Sequence, residues 1–176
     1  SDAAMAVACL EMVRARVSGV MYTRNPVNAL ENRIIINAVW GLGPYAVDGI
    51  VPPDSYTLSK DPQPVLLKSR IEEKTAQLVA RSDGYLVEQT VPDPFRRQAC
   101  LSDEQARELA VIGLRLEEHY GCPQDVEWAL DEADRFVILQ ARPLRLEGRD
   151  TDGKAVRAEI PALRAMLDAG LALFFP

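Results

Sequence analysis

The alternation of apolar and polar positions predicts short strands separated by turns in the first half of the chain. Residues 5–13 and 17–22 form apolar runs typical of strands, and the second run leads to the turn signal Asn25-Pro26. Further apolar runs predict strands at residues 34–36, 55–58, 65–68 and 85–89 and a short helix at 46–50. Strands therefore dominate the predicted fold up to residue 90.

One long helix is predicted in the second half. Ser102 and Gln105 have the spacing of a capping box, in which each residue satisfies a free backbone amide of the other. Apolar residues then recur at helical spacing up to Tyr120, and Gly121 suits the left-handed position that ends many helices. We expect the helix to begin at Ser102 and to end before Gly121.

A polar hairpin follows the helix. Its parts are alternating strands at 124–130 and 135–142 and a four-residue turn at 131–134. A loop of four residues would place Asp125 opposite Gln140 and Glu127 opposite Ile138. The other face of the hairpin is predicted to be core and carries Val126, Trp128, Leu130, Val137 and Leu139.

The polar face of this hairpin is the candidate chemical site. It gathers Asp125, Glu127, Gln140 and Arg142, because directly opposed residues share a face. Mg²⁺ prefers oxygen ligands, with one or two carboxylates completed by phosphates and waters, and an arginine can hold a phosphate. The alternative is a solvated face on which Arg142 only neutralises the acids.

Composition narrows the classes of function. The chain has 176 residues, 48% of them hydrophobic, and a net charge of −6, which suits one domain and offers no basic nucleic-acid footprint. Cys9, Cys100 and Cys122 lack metal-site or disulfide-framework spacing, which fits a reducing cytoplasm. The single histidine, His119, is expected to be solvated or to interact favourably with the helix dipole at the helix end. No apolar run is long enough to span a membrane.

Four segments together resemble the nucleotide-binding domain of the phosphoenolpyruvate synthase and pyruvate phosphate dikinase family, which includes rifampicin phosphotransferase. They read VSGVMYTRNP at 17–26, INAVWGLG at 36–43, PQDVEWA at 123–129 and LQARP at 139–143. The resemblance implies an α+β fold, the second lobe of an ATP-grasp domain, with a mixed or antiparallel sheet and flanking helices. It also implies ATP and Mg²⁺ as cofactors.

The resemblance assigns roles to the polar hairpin. Glu127 and Gln140 would ligate Mg²⁺, and Asp125 would support or contact the metal site. Arg142 would be the catalytic contact to phosphate, stabilising the charge that develops during phosphoryl transfer.

A second implied site lies at the start of the chain. The segment Glu11, Met12 and Val13 would be the adenine hinge, with the Glu11 carbonyl and the Val13 amide reading the adenine edge. Two positions depart from the family pattern: Leu10 stands where glutamine is usual, and Pro44 stands where the family has a glutamate near the nucleotide.

The resemblance also implies a longer enzyme. Residues 1–146 would be the second lobe, and 147–176 a linker toward a phosphohistidine domain that this chain lacks, as it lacks the first lobe. We expect pyruvate to be converted to phosphoenolpyruvate through a histidine relay, and this piece alone to be inactive. The alternatives are phosphorylation of rifampicin or another acceptor, or a noncatalytic nucleotide-binding module, as Pro44 suggests. Neither nucleic acid nor membrane is an expected partner.

Overall fold

A mostly antiparallel sheet with one long helix forms the fold in the computed structural model, which describes residues 11–47, 49–81 and 83–145. The strands are β1 (Ala15–Tyr22), β2 (Arg33–Trp40), β3 (Asp54–Ser59), β4 (Leu66–Arg70), β5 (Ala76–Ala80), β6 (Leu86–Thr90), β7 (Gln124–Asp131) and β8 (Phe136–Pro143). The helices are α1 (Pro44–Val47), α2 (Asp93–Arg96) and α3 (Asp103–Tyr120). The fold is α+β, as predicted.

Six strands make one sheet in the order β4-β3-β2-β1-β7-β8, and β5 pairs with β6 in a separate hairpin. Each pair of neighbouring strands is antiparallel. Consecutive residues of a strand point to opposite faces, so the sheet has two faces of different character. No helix in the described ranges is long and apolar enough to cross a membrane.

One face of the sheet packs against α3 and is called the core face. Its buried side chains include Met21, Ile36, Tyr56 and Trp128, and α3 contributes Ala106, Leu109, Ala110 and Leu116. The opposite, open face carries the candidate site. A small cluster of Val39, Tyr45 and Val51, with residues of α1 and β5 around it, covers one end of the open face.

The predicted ends of α3 are confirmed. Ser102 accepts a hydrogen bond from the Gln105 amide, and the Gln105 side chain accepts one from the Ser102 amide. Gly121 has φ 68°, the left-handed conformation expected of a helix-ending glycine.

Several element boundaries differ from the predictions. Glu11 to Arg14 have no regular secondary structure, and the rest of the predicted strand at 5–13 lies outside the described residues. The short helix begins at Pro44, two residues earlier than expected, since a proline at the first helical position needs no amide partner. Neither β5 nor α2 was predicted from the sequence.

The predicted hairpin register is wrong by one residue at the turn and by two farther along. In the turn, Asp134 has φ 57°. The Asp131 amide donates to the Arg135 carbonyl, and the Asp131 carbonyl accepts from the Asp134 amide. Leu130 therefore pairs with Phe136 instead of Arg135. This pattern of a turn followed by a left-handed residue adds one residue to the loop.

A bulge then shifts the register again between Glu127 and Trp128. Because the bulge leaves Leu139 without a partner, the core-facing residues of β8 are Phe136, Ile138 and Ala141. The prediction that Val137 and Leu139 belong to the core face is therefore wrong. Leu139 is 37% exposed.

Candidate functional site

The four polar residues predicted to share a face of the hairpin do so. Asp125 lies directly opposite Arg142, and Glu127 directly opposite Gln140. These are not the pairs expected from the sequence, but the turn residue and the bulge together shift the register by two, and a shift of two keeps side chains on the same face. The prediction that these four residues share one face is confirmed, whereas the predicted cross-strand partners of Asp125 and Glu127 are wrong.

The pairing across β1 and β2 extends these residues into two rows on the open face. The first row runs from Arg142 and Asp125 to Tyr22 on β1. The second runs from Gln140 and Glu127 through Val20 on β1 to Asn37 on β2.

Asp125 and Arg142 form an ion pair. The Nε and Nη2 atoms of Arg142 both donate to Oδ2 of Asp125, at 2.8 and 2.7 Å. Hydrogen bonding to Asp125 makes the largest contribution to raising the pKa of Arg142, and the negative charges of Asp125 and Glu127 raise it further. The arrangement leaves Oδ1 of Asp125 and part of the guanidinium free to meet a ligand.

Tyr22 is a residue that the sequence analysis did not assign to the site. Partial burial and then the negative charge of Asp125 raise the pKa of its phenol, while Arg142 acts in the opposite direction. The phenol is therefore neutral at physiological pH beside the ion pair. Its alternation with Val20 on β1 was the signal that could have placed it on this face.

Glu127 and Gln140 differ from the ion pair, because their side chains hydrogen-bond to no other residue in the described part of the chain. Both are open to solvent, with Gln140 the more exposed. Within the described ranges no three His, Cys, Asp or Glu side chains form a group that could hold a metal. The available donors are instead two carboxylates and one amide, an oxygen set that fits Mg²⁺ sharing its ligands with phosphates and waters.

The predicted hinge residues Glu11, Met12 and Val13 line a cavity of about 450 Å³. Its remaining walls come from the β7–β8 turn and the start of β8, with Arg14, Asp131, Glu132, Ala133, Arg135 and Val137. The Asp131 carboxylate accepts from the Ala133 and Arg135 amides, each at 2.9 Å, and so holds the turn in place. Leu10 lies outside the described residues.

The cavity and the polar rows lie on the same face of the sheet. Val137, in the cavity wall, pairs with Ala129, which is two residues along β7 from Glu127 and four from Asp125. At about 3.4 Å per residue, the Glu127 row is about 7 Å from Val137 and the Asp125 row about 14 Å. The cavity and the two polar rows are thus separated by roughly 7 and 14 Å along β7.

The glycine loop after β2 has a structural explanation. Gly41 has φ 74°, and a Cβ there would lie 2.3 Å from the Leu78 carbonyl oxygen. The Leu42 amide donates to that same oxygen at 2.8 Å, and the Ser18 hydroxyl donates to the Gly41 carbonyl at 2.6 Å. This loop therefore attaches the β5–β6 hairpin to the sheet, and the close approach of Leu78 explains the glycine at position 41.

Comparison with known proteins identifies a family of AMP/ATP-binding domains. The family described as "Pyruvate phosphate dikinase, AMP/ATP-binding domain" matches residues 1–160. A "Probable phosphoenolpyruvate synthase" of Methanocaldococcus jannaschii is 38% identical over 90% of the chain, and the "Phosphoenolpyruvate synthase" of Pyrococcus furiosus 39% over 76%. A "Rifampicin phosphotransferase" of a Streptomyces species is 34% identical over 94%. The chain spans 13%, 17% and 20% of the lengths of these relatives, in that order.

Proposed function

The chain belongs to the pyruvate phosphate dikinase AMP/ATP-binding domain family, and we propose that it is the second lobe of the ATP-binding domain of a longer phosphotransferase. Residues 1–146 would form the lobe, and 147–176 would lead toward a phosphohistidine domain. The first lobe would complete the nucleotide site. The small share of each relative that the chain spans supports this proposal.

One observation carries the proposal for ATP: the hinge cavity and the polar rows share one sheet face at nucleotide-like spacing. The base would occupy the cavity, with the Glu11 carbonyl accepting from the adenine amino group and the Val13 amide donating to the ring. Met12 and Val137 would add apolar contact to the base. The phosphates would lie over Glu127 and Asp125.

Mg²⁺ would be held by Glu127 and Gln140, whose side chains hydrogen-bond to no other described residue. When bound, the metal would supply charge neutralisation between phosphate oxygens. Asp125 keeps Arg142 oriented and fully charged, and Arg142 would donate to the phosphoryl oxygens as negative charge develops on them. Catalysis in such sites rests on positioning and electrostatics.

The overall reaction that fits the synthase relatives converts ATP, pyruvate and water to AMP, phosphoenolpyruvate and phosphate. The phosphoryl group would pass from ATP to a histidine outside this chain and then to pyruvate. The similarity to a rifampicin phosphotransferase favours a second candidate, in which the same relay phosphorylates an antibiotic. Pro44, exposed at the start of α1, is the reason to keep a noncatalytic nucleotide-binding module as the alternative.

The test uses the full-length polypeptide that contains this chain. We would measure Mg²⁺-dependent ATP binding by calorimetry, and AMP formation with and without pyruvate, for wild type and Glu127→Gln. The matched control is Glu118→Gln, which removes an exposed carboxylate from α3. We expect pyruvate-dependent AMP formation that Glu127→Gln abolishes and Glu118→Gln leaves unchanged.

Each other outcome has a distinct meaning. ATP binding without pyruvate-dependent AMP formation would leave the nucleotide site and redirect the search to rifampicin and other acceptors. No ATP binding by wild type would refute the proposal and favour a decayed site marked by Pro44.

A further inference from the structure

Asn37 is a polar interruption in an otherwise apolar central strand. It follows Ile34, Ile35 and Ile36 on β2 and precedes Ala38 and Val39. Asparagine is disfavoured in strands, because it packs poorly and its amide competes for backbone hydrogen bonds. A residue of this kind in a central strand calls for a compensating interaction.

The described part of the chain supplies no such interaction. The Asn37 side chain lies on the open face, partly exposed, and hydrogen-bonds to no other described residue. Its cross-strand neighbours are Val20 on β1 and Ser55 on β3. Within the described ranges, the donor and acceptor groups of the Asn37 amide are therefore available to a ligand.

Asn37 lies in the same cross-strand row as Glu127 and Gln140, the two residues proposed to hold Mg²⁺. Val20 separates Asn37 from Glu127 in the same cross-strand row, and Gln140 follows Glu127. With strands about 4.8 Å apart, Asn37 and Glu127 lie roughly 10 Å apart between their Cα atoms. Val20, 8% exposed, forms an apolar floor between a carboxylate and a carboxamide.

We propose that Asn37 is a nucleotide-contacting residue, which donates from Nδ2 to a phosphate oxygen of ATP on the side opposite Glu127 and Gln140. The space above Val20 is bounded on one side by the side-chain oxygens of Glu127 and Gln140, the ligands proposed for Mg²⁺, and on the other side by the Asn37 amide. A metal-bound phosphate is anionic at both edges and fits between them. This inference rests on the proposed ATP site and adds a residue from β2 to it.

The test compares phosphate-dependent and phosphate-independent binding in the full-length polypeptide. Asn37→Leu removes the amide at nearly constant size, and Asn37→Asp replaces the donor with a negative charge. Ser55→Ala is the matched control, since Ser55 lies in the same row on the same face, one strand farther from Glu127. Calorimetry with Mg-ATP and with adenosine gives the affinities, and thermal unfolding without nucleotide reports folding.

We expect Asn37→Leu to weaken Mg-ATP binding about tenfold or more, the effect of losing a hydrogen bond to a charged group, and Asn37→Asp to weaken it further. Adenosine affinity and the melting temperature of Asn37→Leu should stay close to wild type, and Ser55→Ala should bind Mg-ATP normally. A purely structural Asn37 would instead lower the melting temperature and reduce both affinities together.

Two other results would also overturn the inference, in distinguishable ways. If wild type binds Mg-ATP and Glu127→Gln loses it while both Asn37 variants bind normally, Asn37 is not a contact and the ATP site stands. If wild type binds no Mg-ATP, both the proposed function and this inference are refuted.

Discussion

The buried ion pair between Asp54 and Lys74 is where a single substitution should cost the fold most. Both side chains are 0% exposed, and Nζ of Lys74 lies 2.5 Å from Oδ1 of Asp54. The same carboxylate accepts from the Glu72 amide at 2.9 Å and the Cys100 amide at 2.8 Å. One carboxylate thus joins the start of β3, the segment before β5 and the segment before α3.

Lys74→Met removes the cation and leaves the Asp54 carboxylate buried with neutral hydrogen-bond partners only. Breaking one partner of a buried pair costs about 3–5 kcal/mol, because the remaining charge is uncompensated. At roughly 2–4 °C per kcal/mol for a domain of this size, the melting temperature should fall by roughly 6–20 °C. Adding Asp54→Asn to Lys74→Met removes the stranded charge, so the double variant should lose less than the sum of the single losses.

The assay is equilibrium urea unfolding of the 176-residue chain, followed by the fluorescence of Trp40 and Trp128. Arg97→Met is the control, since it breaks an exposed pair with Glu73 and should cost at most about 1 kcal/mol. Losses below about 1 kcal/mol for Lys74→Met, or strict additivity in the double variant, would refute the reasoning.

Three further predictions concern packing, pH and thiol chemistry. Gly19→Ala would place a Cβ 1.8 Å from a backbone oxygen of β2 and should destabilise the fold by about 3 kcal/mol or more. At Gly113 a Cβ would meet the flexible end of Met21 at 2.7 Å and the Thr23 methyl group at 3.3 Å, so Gly113→Ala should change stability by about 1 kcal/mol or less in urea unfolding. Hydrogen bonds, the strongest of them from the Arg135 amide, lower the pKa of Asp131. The Asp131 carboxylate therefore stabilises the fold at pH values above its ordinary pKa of 3.8, and this contribution is lost as the pH falls through the lowered pKa of the folded state. Asp131→Asn should therefore lower the melting temperature at about pH 7, with a difference from wild type that shrinks in acid; a constant difference would contradict this. Burial raises the pKa of the Cys100 thiol, so peptide mapping should show slow alkylation by iodoacetamide at about pH 8 in the folded chain and fast alkylation in urea.

The sequence alone was sufficient for features whose cause is local. The capping box at Ser102 and the glycine at 121 set the ends of α3, since they depend on neighbours within a few residues. The alternation along β7 and β8 placed Asp125, Glu127, Gln140 and Arg142 on one face, because side chains alternate with a period of two. The four family-like segments pointed to a family that the comparison then confirmed. The roles of the four site residues remain proposals.

Other features depended on contacts between distant segments. The exact partners across the hairpin were decided by the left-handed Asp134 and by the bulge at Leu139, which respond to turn geometry and to packing of Ile138 against the core. The strand β5 was missed because its contacts with Gly41 and Leu42 come from a loop more than thirty residues away in the chain.

The site as a whole shows the same division. Residue types and spacing were enough to identify a carboxylate, amide and arginine set that could serve Mg²⁺ and phosphate. Only the tertiary structure decided that Asp125 pairs with Arg142, that Glu127 and Gln140 remain available, and that β1 and β2 bring Tyr22 and Asn37 onto the same face. The physical reason is that alternation assigns a side chain to a face from its own strand, whereas register across strands is set by long-range pairing and packing.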